Sequence, residues 1–350
     1  MADIPVSQAR AVLTQARIAE YRERINPTSF LRSFFPTVEH GTKLLSIEVQ
    51  RGTENIAVDV QRGTEGNRNT MSKSTEKIFL PPYYREFLDA TDMELYDRLF
   101  TANGVISGTD MGAFIRDLND KISMIQNKIE RSYELQCAQV LETGIVELQM
   151  GTNIDFKRKS GSLVDLGGAG YWSNATVDPV VALLDGCNFL RQVGKVQGGT
   201  INAIFGSDVL NTLYNNPVYA ARADIRRMTL SEAMPAQKNA VGASLHGWIS
   251  VGAYKVNVWT YPEFYDDKNG VSTSYVNPKK VILLPEQTMF KMGFAAVPQL
   301  LTGGGVSNTK GAYVFNDYID QRKEAHVFDV KSAGVAIPVA VDQIYTFKAI

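Results

Sequence analysis

The longest regular pattern of apolar residues in the chain lies between residues 109 and 143. Large apolar side chains recur there every three or four residues, at Met111, Ile115, Leu118, Ile122, Ile125, Ile129, Tyr133, Cys137 and Val140. This spacing places them on one face of an α-helix, and Thr109 or Asp110 can cap its first turn. At about 1.5 Å per residue, such a helix is roughly 50 Å long. It would pack on a sheet or, as a coiled coil, on a second helix.

An alternating pattern precedes this helix and predicts an extended hairpin. Apolar residues alternate with polar or small ones around 47–49 and again at 56–60, which is typical of strands. The sequence VQRGTE occurs at both ends of the second run, and the stretch 61–77 that follows is almost entirely polar. A return strand at 78–84 contains Pro81-Pro82, which favours a sheet edge or an exposed arm. A polar tip of this length is either functional or disordered.

Helices and strands alternate in the rest of the chain, and a further helix is predicted at 6–24. Predicted helices lie at 178–193, 207–216 and 216–228; strands at 144–149, 153–157, 200–206, 255–262, 279–285, 325–332 and 334–350; and loops at 167–173 and 300–313. Pro179 suits the first turn of its helix. The mixture predicts an α+β or α/β fold, not an all-helical one.

Composition excludes several classes of protein. The chain has 350 residues, a hydrophobic fraction of 44%, a charged fraction of 21% and a net charge of −1, which is ordinary for a soluble globular protein. A protein that binds nucleic acid through its phosphate groups would usually be basic. The net charge therefore gives no support to that class. No apolar run approaches the about 18 residues of a membrane span, and the N-terminus has no signal-peptide core. Cys137 and Cys187 lie in apolar surroundings, which predicts two buried thiols in a reducing compartment.

The sequence contains no convincing motif for catalysis or metal binding. His40, His246 and His326 are far apart, and neither HExxH nor CxxC accompanies them. GASLHG at 242–247 lacks the second glycine of a nucleophile elbow. GGGVSNTKG at 303–311 ends unlike a phosphate-binding loop, and no predicted helix follows it. We therefore predict no catalytic, cofactor-binding or metal-binding residue.

Two kinds of residue are candidates for contacts between subunits. The aromatic side chains of FLRSFFP must pack either in the core of this chain or on a neighbour. Charged residues of the polar tip can pair with a neighbouring surface, and an arginine cluster near 222–227 is either a solvated helix face or a subunit contact. The predicted contact residues are Phe30, Phe34, Phe35, Arg62, Arg68, Lys73, Arg222, Arg226 and Arg227.

The order of these elements, together with seven short segments, carries a resemblance to a known family. The segments are FLRSFFP (30–36), ELQCAQVLETGIVELQMG (134–151), YWSNATVDPVVAL (171–183), NAIFGSDVLNTL (202–213), YPEFYDD (261–267), ILLPEQTM (282–289) and EAHVFDVKSAGVAIPV (324–339). In this order they resemble the major capsid proteins of tailed bacteriophages, specifically the phage lambda capsid protein E-like family. None of them is a catalytic motif, so the resemblance transfers no active site.

The resemblance implies an α+β fold of the Hong Kong 97 type and a division of the chain into parts. These parts are an N-terminal arm at 1–40, an extended hairpin or E-loop at 41–90, a peripheral (P) domain at 91–170 with a spine helix at 109–143, an axial (A) domain at 171–310, and a return to the peripheral domain at 311–350. The helix predicted at 6–24 is stronger than a plain arm requires, so its role is left open.

The resemblance also implies a function, partners and a location. The expected function is that of a major capsid protein, not an enzyme, whose hexamers and pentamers form an icosahedral head shell. Scaffolding and portal proteins are the expected partners, a decoration protein is left open, and no cofactor or membrane is involved. The shell would enclose double-stranded DNA without reading its sequence. Its near-neutral inner wall would not bind the phosphate groups strongly, as a basic wall would. The location would be the virion, after assembly in the cytoplasm of the host bacterium.

Three other functions compete with this interpretation. A nanocompartment shell of the same fold would need a pocket that binds cargo. An α/β enzyme with an unrecognised site would place clustered acids and bases in a cleft. A phage tail or adhesin protein would contain long all-β repeats, which the sequence lacks.

Overall fold

The computed structural model describes residues 27–49, 75–91, 108–149, 153–225, 237–238, 242–300, 305–320, 322–323 and 325–350. The predicted helix 6–24, the predicted strand 56–60 and most of the polar tip 61–77 lie outside these residues. The described chain is a mixture of helices and strands that forms two compact units. The first unit includes residues 84–131 and 313–331, and the second includes 28–83, 132–312 and 332–350.

The described helices and turns agree with most of the helix predictions. The α-helices are α1 (Gly108–Glu142), α2 (Gly167–Gly170), α3 (Pro179–Gln192), α4 (Ser207–Asn215) and α5 (Pro217–Ile225), and short 3-10 turns lie at Leu31–Phe34, Ser160–Ser162 and Val341–Gln343. The long helix predicted at 109–143 is confirmed as α1. Helix α3 begins as predicted, with Pro179 in the first turn and the Asp178 side chain accepting the Val180 amide at 3.1 Å.

Twenty-one strands lie within the described residues. They are β1 (Thr37–Glu39), β2 (Leu45–Val49), β3 (Thr75–Phe79), β4 (Tyr84–Thr91), β5 (Ile145–Val146), β6 (Ile154–Asp155), β7 (Leu163–Asp165), β8 (Thr200–Phe205), β9 (Gln237–Lys238), β10 (Ser244–Val251), β11 (Tyr254–Thr260), β12 (Phe264–Asp266), β13 (Ser272–Ser274), β14 (Lys280–Pro285), β15 (Phe290–Phe294), β16 (Val297–Leu300), β17 (Val306–Thr309), β18 (Val314–Asp320), β19 (Ala325–Ser332), β20 (Gly334–Pro338) and β21 (Tyr345–Lys348).

The second unit is built around a seven-stranded mixed sheet. Its strand order is β7-β21-β14-β8-β11-β10-β9, with β21 parallel to β7 and antiparallel to β14. Nearly every residue of β8 and β14 is buried, as is typical of mostly apolar strands that are covered on both faces. Helix α3 packs on the sheet through Leu183, Cys187 and Leu190, all buried in one apolar core with strand residues.

Smaller sheets complete the second unit. Strand β1 pairs in parallel with β15, which pairs antiparallel with β20. Strands β2 and β3 pair antiparallel, with Leu45 opposite Phe79. The sequence analysis instead combined a strand at 56–60, which lies outside the described residues, with a return strand at 78–84. That return strand is wrong, because β3 begins at Thr75 and ends at Phe79, before Pro81-Pro82, which cannot donate to a ladder. Three further two-stranded pairs are β5-β6, β12-β13 and β16-β17.

The first unit contains a three-stranded sheet and most of the long helix. The strand order is β18-β19-β4, and α1 contributes its residues up to Arg131. Arg85 on β4 pairs with the fully buried carboxylate of Asp329 on β19, at 2.7 Å. Lys128 on α1 pairs with Glu86 on β4 at 2.8 Å. These contacts join segments that are far apart in the sequence.

Two predictions about loops are wrong, whereas the predicted burial of both cysteines as free thiols is confirmed. The predicted loop 300–313 contains β17, which pairs antiparallel with β16, because backbone pairing with a neighbouring strand outweighs weak strand propensity. The predicted loop 167–173 contains the short helix α2. Cys137 and Cys187 are both free and buried. None of the described helices has the length and apolarity needed to cross a membrane.

Candidate assembly site

The aromatic segment FLRSFFP packs within its own chain. Phe30 is 4% exposed and Phe35 is 1% exposed. The Phe30 ring lies 5.3 Å from the Trp259 ring, and Phe35 stacks on Phe290 at 5.1 Å between ring centroids. Phe34 is partly buried and meets Phe30 edge to face. Of the two alternatives left open by the sequence, the structure therefore places Phe30 and Phe35 in the core of their own subunit.

A buried carboxylate on α1 holds the turn Leu31–Phe34. Glu134 is 1% exposed; its Oε1 accepts the Leu31 amide at 2.8 Å and its Oε2 accepts the Arg32 amide at 2.9 Å. The Tyr261 hydroxyl donates to Oε1 at 2.8 Å and also bonds the Thr28 hydroxyl. Burial raises the pKa of Glu134 to about 7, since desolvation of the carboxylate outweighs the stabilisation from these donors and from the nearby Arg32 charge.

A partly buried guanidinium group lies at the other end of this region, where α1 ends. Arg158 donates to the carbonyl oxygens of Leu141 at 2.9 Å, Ser162 at 3.0 Å and Ile344 at 3.1 Å, and also to the Thr346 hydroxyl. The Leu141 carbonyl belongs to the last turn of α1, where carbonyl groups have no partner within the helix. Burial lowers the pKa of Arg158 to about 9, so the group remains charged near neutral pH.

Gly144 makes the close approach of Arg158 feasible. Its φ of +78° is in the left-handed region that favours glycine after a helix, and its amide donates to the Val140 carbonyl at 3.0 Å. A Cβ atom at this position would lie 2.5 Å from the Arg158 Cδ atom. The end of α1 therefore depends on a residue without a side chain.

The base of the β2-β3 hairpin exposes large apolar side chains. Leu44 is 49% exposed, Ile78 is 62% exposed and Leu80 is 57% exposed. Next to them, Leu45 is 2% exposed, which fixes the root of the hairpin in the second unit. Clustered apolar side chains at the surface are typical of an interface with another molecule.

The basic residues predicted to contact neighbours are mostly outside the described part of the chain. Arg62, Arg68, Lys73, Arg226 and Arg227 lie there. The sixth of them is Arg222, at the end of α5. Its guanidinium group pairs with Asp178, the cap of α3, while its side chain remains 52% exposed.

One surface cleft can be compared with the site expected of an enzyme, which would contain clustered acids and bases. It encloses about 670 Å³ between the segments 195–200 and 285–289, and its charged lining residues are Lys195 and Glu286. One lysine and one glutamate are not the clustered acids and bases expected of such a site. The described residues also contain no group of three His, Cys, Asp or Glu side chains that could hold a metal ion.

Glu134 and Arg158 were both missed by the sequence analysis. Glu134 lies next to the apolar face of the predicted helix, and a signal existed, because Ala138 and Leu141 follow it at helical spacing and are buried with it. Arg158 stands between Lys157 and Lys159 in FKRKS, and such a basic run is typical of a solvated surface. Nothing in the local pattern distinguishes the buried arginine from the two lysines.

Comparisons with known proteins agree with this architecture. The sequence model of the family described as phage major capsid protein E matches residues 13–349. A prophage protein from Escherichia coli CFT073, described as its capsid protein, superimposes with a TM-score of 0.62 at 15% identity, covering 100% of both chains. The capsid protein of the native GTA particle superimposes with a TM-score of 0.51 at 12% identity, covering 94% of this chain and 93% of that chain. No curated protein sequence matches the chain.

The two structural likenesses show a shared fold, and the family match extends over nearly the whole chain. The prediction of a Hong Kong 97-type capsid fold with both helices and strands is confirmed, as is the predicted family. The chain belongs to the phage major capsid protein E family and is a major capsid protein of a bacteriophage head.

Proposed function

We propose that this capsid protein forms a closed icosahedral shell of hexamers and pentamers, and that its β2-β3 hairpin is the arm that reaches a neighbouring subunit. The shell encloses double-stranded DNA without reading its sequence. Assembly takes place in the cytoplasm of the host bacterium, with a separate scaffolding protein and a portal protein as partners. The protein acts as a structural component and catalyses no reaction.

The exposed base of the hairpin is the observation that carries this proposal. Leu44, Ile78 and Leu80 all leave about half or more of their surface in solvent. Transfer of this apolar surface onto a neighbour contributes roughly 25 cal/mol per Å². Each contact is modest on its own, but the contacts recur in every subunit of a closed shell and add up.

The division of the chain into an arm (1–40), an E-loop (41–90), a peripheral domain (91–170 and 311–350) and an axial domain (171–310) belongs to the same proposal. The sheet β18-β19-β4 supports it, since this sheet returns the chain after residue 311 to the segment that follows the hairpin. The seven-stranded sheet, with most of its strands between 171 and 310, is the framework of the axial domain.

The net charge supports the role assigned to the inner wall. With a formal charge of −1, the subunit offers no general attraction to phosphate groups, so packaged DNA stays movable. We retain Arg62, Arg68, Lys73, Arg222, Arg226 and Arg227, together with Phe34, as contact residues to be tested. Phe30 and Phe35 would act indirectly, by fixing the segment that carries Phe34.

A paired substitution at the hairpin base tests the proposal. We expect Ile78→Asp/Leu80→Asp to leave the melting transition of the subunit nearly unchanged, because neither side chain is in the core. Closed particles should disappear in sedimentation and negative-stain microscopy after co-expression with the scaffolding protein. The matched control is Ile78→Val/Leu80→Met, which keeps the surface apolar and should assemble normally. Particles of normal yield and stability from the Asp variant would refute the role of the hairpin.

A further inference from the structure

The turn between β12 and β13 contains an Asn-Gly pair, a dipeptide that is prone to deamidation. Asn269 and Gly270 are both exposed, at the tip of the hairpin that these two strands form. A glycine after asparagine leaves its backbone nitrogen unshielded by a side chain, so that nitrogen can reach the side chain of the asparagine. The sequence DDKNG therefore places a chemically reactive pair at the surface of the subunit.

Deamidation of such a pair runs through a succinimide ring. The Gly270 backbone nitrogen, after loss of its proton, attacks the Asn269 Cγ atom and forms a C–N bond. The Cγ–Nδ2 bond breaks, and ammonia leaves with a proton taken from the medium. Water then opens the ring at either of its carbonyl groups, so the products are aspartate and isoaspartate. The reaction needs no oxidant or reductant, and water is its only co-reactant.

The attacking nitrogen is engaged in the folded turn. Gly270 donates its amide proton to the Asp267 carbonyl oxygen at 2.9 Å, and its φ of +75° is the left-handed conformation that closes such a hairpin loop. The Asp267 amide in turn donates to the Val271 carbonyl at 3.0 Å. Attack on Asn269 requires that the Gly270 N–H group leaves its acceptor, so the turn has to open first.

The Asn269 side chain is held away from Gly270 by the Asp267 carboxylate. Oδ1 of Asp267 accepts the Asn269 backbone amide at 2.7 Å and the Val271 amide at 3.0 Å. Oδ2 accepts the side-chain Nδ2 of Asn269 at 3.2 Å. These bonds direct the Asn269 side chain back towards Asp267, whereas the reaction needs its Cγ atom next to the Gly270 nitrogen.

The charge of Asp267 acts in the same direction. Hydrogen bonds from the Val271 and Asn269 amides hold the pKa of Asp267 below its usual range, so the carboxylate is ionised at neutral pH. A negative charge in this position disfavours loss of the proton from the Gly270 nitrogen, because the deprotonated nitrogen is itself negative.

We propose that Asn269 is a modification site at which deamidation is held back by Asp267. While the turn is closed, Asp267 keeps the reacting atoms apart, through its side chain on Asn269 and its carbonyl group on Gly270. Deamidation proceeds when the turn opens, and isoaspartate then disturbs the hairpin, because its backbone is longer. A subunit in a phage head is not replaced by new synthesis, so such a change accumulates over the life of the particle.

Opening of the turn is a local event, because the hairpin is fixed at its base. The Tyr275 amide donates to the Glu263 carbonyl at 3.1 Å. The Tyr275 side chain is 5% exposed, and its ring lies 5.0 Å from the Tyr265 ring. A substitution at Asp267 should therefore free the turn while the core of the subunit keeps its melting transition.

Peptide mapping of the full-length protein after prolonged incubation tests the proposal. Native protein and protein unfolded in guanidinium chloride would be kept in the same mildly alkaline buffer. Deamidation of Asn269 is read from the mass of its proteolytic peptide, and isoaspartate from methylation by an isoaspartyl methyltransferase. The second Asn-Gly pair of the sequence, Asn103-Gly104, is the internal standard in the unfolded sample. We expect Asn269 to react roughly tenfold more slowly in the native protein, and equal rates in both samples would overturn the proposal.

Three variants separate protection by Asp267 from a general effect of folding. Asp267→Ala should raise the native rate at Asn269 roughly tenfold without lowering the melting transition. Asp267→Asn keeps an acceptor oxygen for the Asn269 amide and should react more slowly than Asp267→Ala. Asp266→Ala is the matched control and should keep the wild-type rate, since the Asp266 side chain forms no hydrogen bond within the described residues. A wild-type rate in Asp267→Ala, or an equal rise in Asp266→Ala, would overturn the proposal.

Discussion

Glu134, which is buried on helix α1, and Arg158, which is partly buried at the C-terminal end of that helix, differ in a way that shows how a protein core tolerates charge. Glu134 lies among N–H and O–H donors, whereas Arg158 lies among carbonyl oxygens. Burial disfavours the charged form of both, raising the pKa of Glu134 to about 7 and lowering that of Arg158 to about 9. Only the shift at Glu134 reaches the neutral range. Desolvation on burial thus makes the charge of Glu134 sensitive to pH near neutrality, whereas Arg158 stays charged there.

Removal of the partly buried Arg158 side chain should have the largest effect on stability. We expect Arg158→Met to reduce the free energy of unfolding by about 4 kcal/mol, because the carbonyl groups of Ser162 and Ile344 lose the guanidinium donor, while that of Leu141 keeps the Thr346 hydroxyl as a donor. Chemical denaturation followed by circular dichroism measures the loss. A change below about 1 kcal/mol would mean that water or a neighbour replaces the guanidinium group.

The pH dependence of stability sharpens the comparison. Because the folded-state pKa of Glu134 is raised, its contribution is complete below pH 4.5 and is lost as the pH rises to about 7. The loss is about 3 kcal/mol in the two-state limit. It should appear as the difference between wild-type and Glu134→Gln unfolding curves from pH 5 to 8. Arg158 does not make the free energy of unfolding depend on pH in this range, since its guanidinium group stays charged. If the wild-type and Glu134→Gln curves ran parallel from pH 5 to 8, Glu134 would not be the source of the pH dependence.

A substitution at Gly144 should have an intermediate effect, confined to the Arg158 region. We expect Gly144→Ala to cost about 2 kcal/mol, from the positive φ and from the collision with the Arg158 side chain. Thermal and urea unfolding measure the change. The difference between the unfolding curves with Glu134 and with Gln at position 134 should stay the same in the Gly144→Ala background, and a change in it would show that the two charged regions are coupled.

The smallest effect is expected at the residue next to Arg158. Lys159 is 44% exposed and pairs with Asp342 at 3.0 Å. Such an exposed pair is worth about 0–1 kcal/mol, so Lys159→Met should shift stability by about 0.5 kcal/mol at most. The free energies of unfolding of Lys159→Met and Arg158→Met should be measured by chemical denaturation under the same conditions, so that the two losses can be compared directly. Similar losses from both variants would show that burial does not distinguish the two cations.

The sequence was sufficient for elements whose signal is local and repeated. Helix α1 followed from apolar residues at helical spacing, and the start of α3 from Pro179 in its first turn. The central strands β8 and β14 followed from their apolar runs. The overall fold then came from the order of the segments, which resembled a known family.

The sequence was insufficient where a side chain's environment comes from distant parts of the chain. The partners of Glu134 are far from it in the sequence, at Leu31 and Tyr261, so neither its burial nor its pKa could be predicted from the helical pattern alone. Strand β17 has weak local propensity and exists because β16 pairs with it. Arg158 looked like its exposed neighbours, because burial of one residue in a basic run depends on segments as distant as residues 344–346.

The position of β21 has a consequence for how the subunit is made. This strand lies inside the seven-stranded sheet, between β7 and β14, although it follows all other strands of the sheet in the sequence. A ribosome therefore delivers the second strand of the sheet after the other six, together with Ile344 and Thr346, which complete the hydrogen bonds of Arg158. Until β21 is made, β7 has no partner strand in this sheet, and Arg158 at the end of α1 lacks its bonds to Ile344 and Thr346. A subunit whose translation stops before β21 therefore leaves β7 unpaired and Arg158 without two of its hydrogen-bond acceptors, and we expect such a chain to remain incompletely folded.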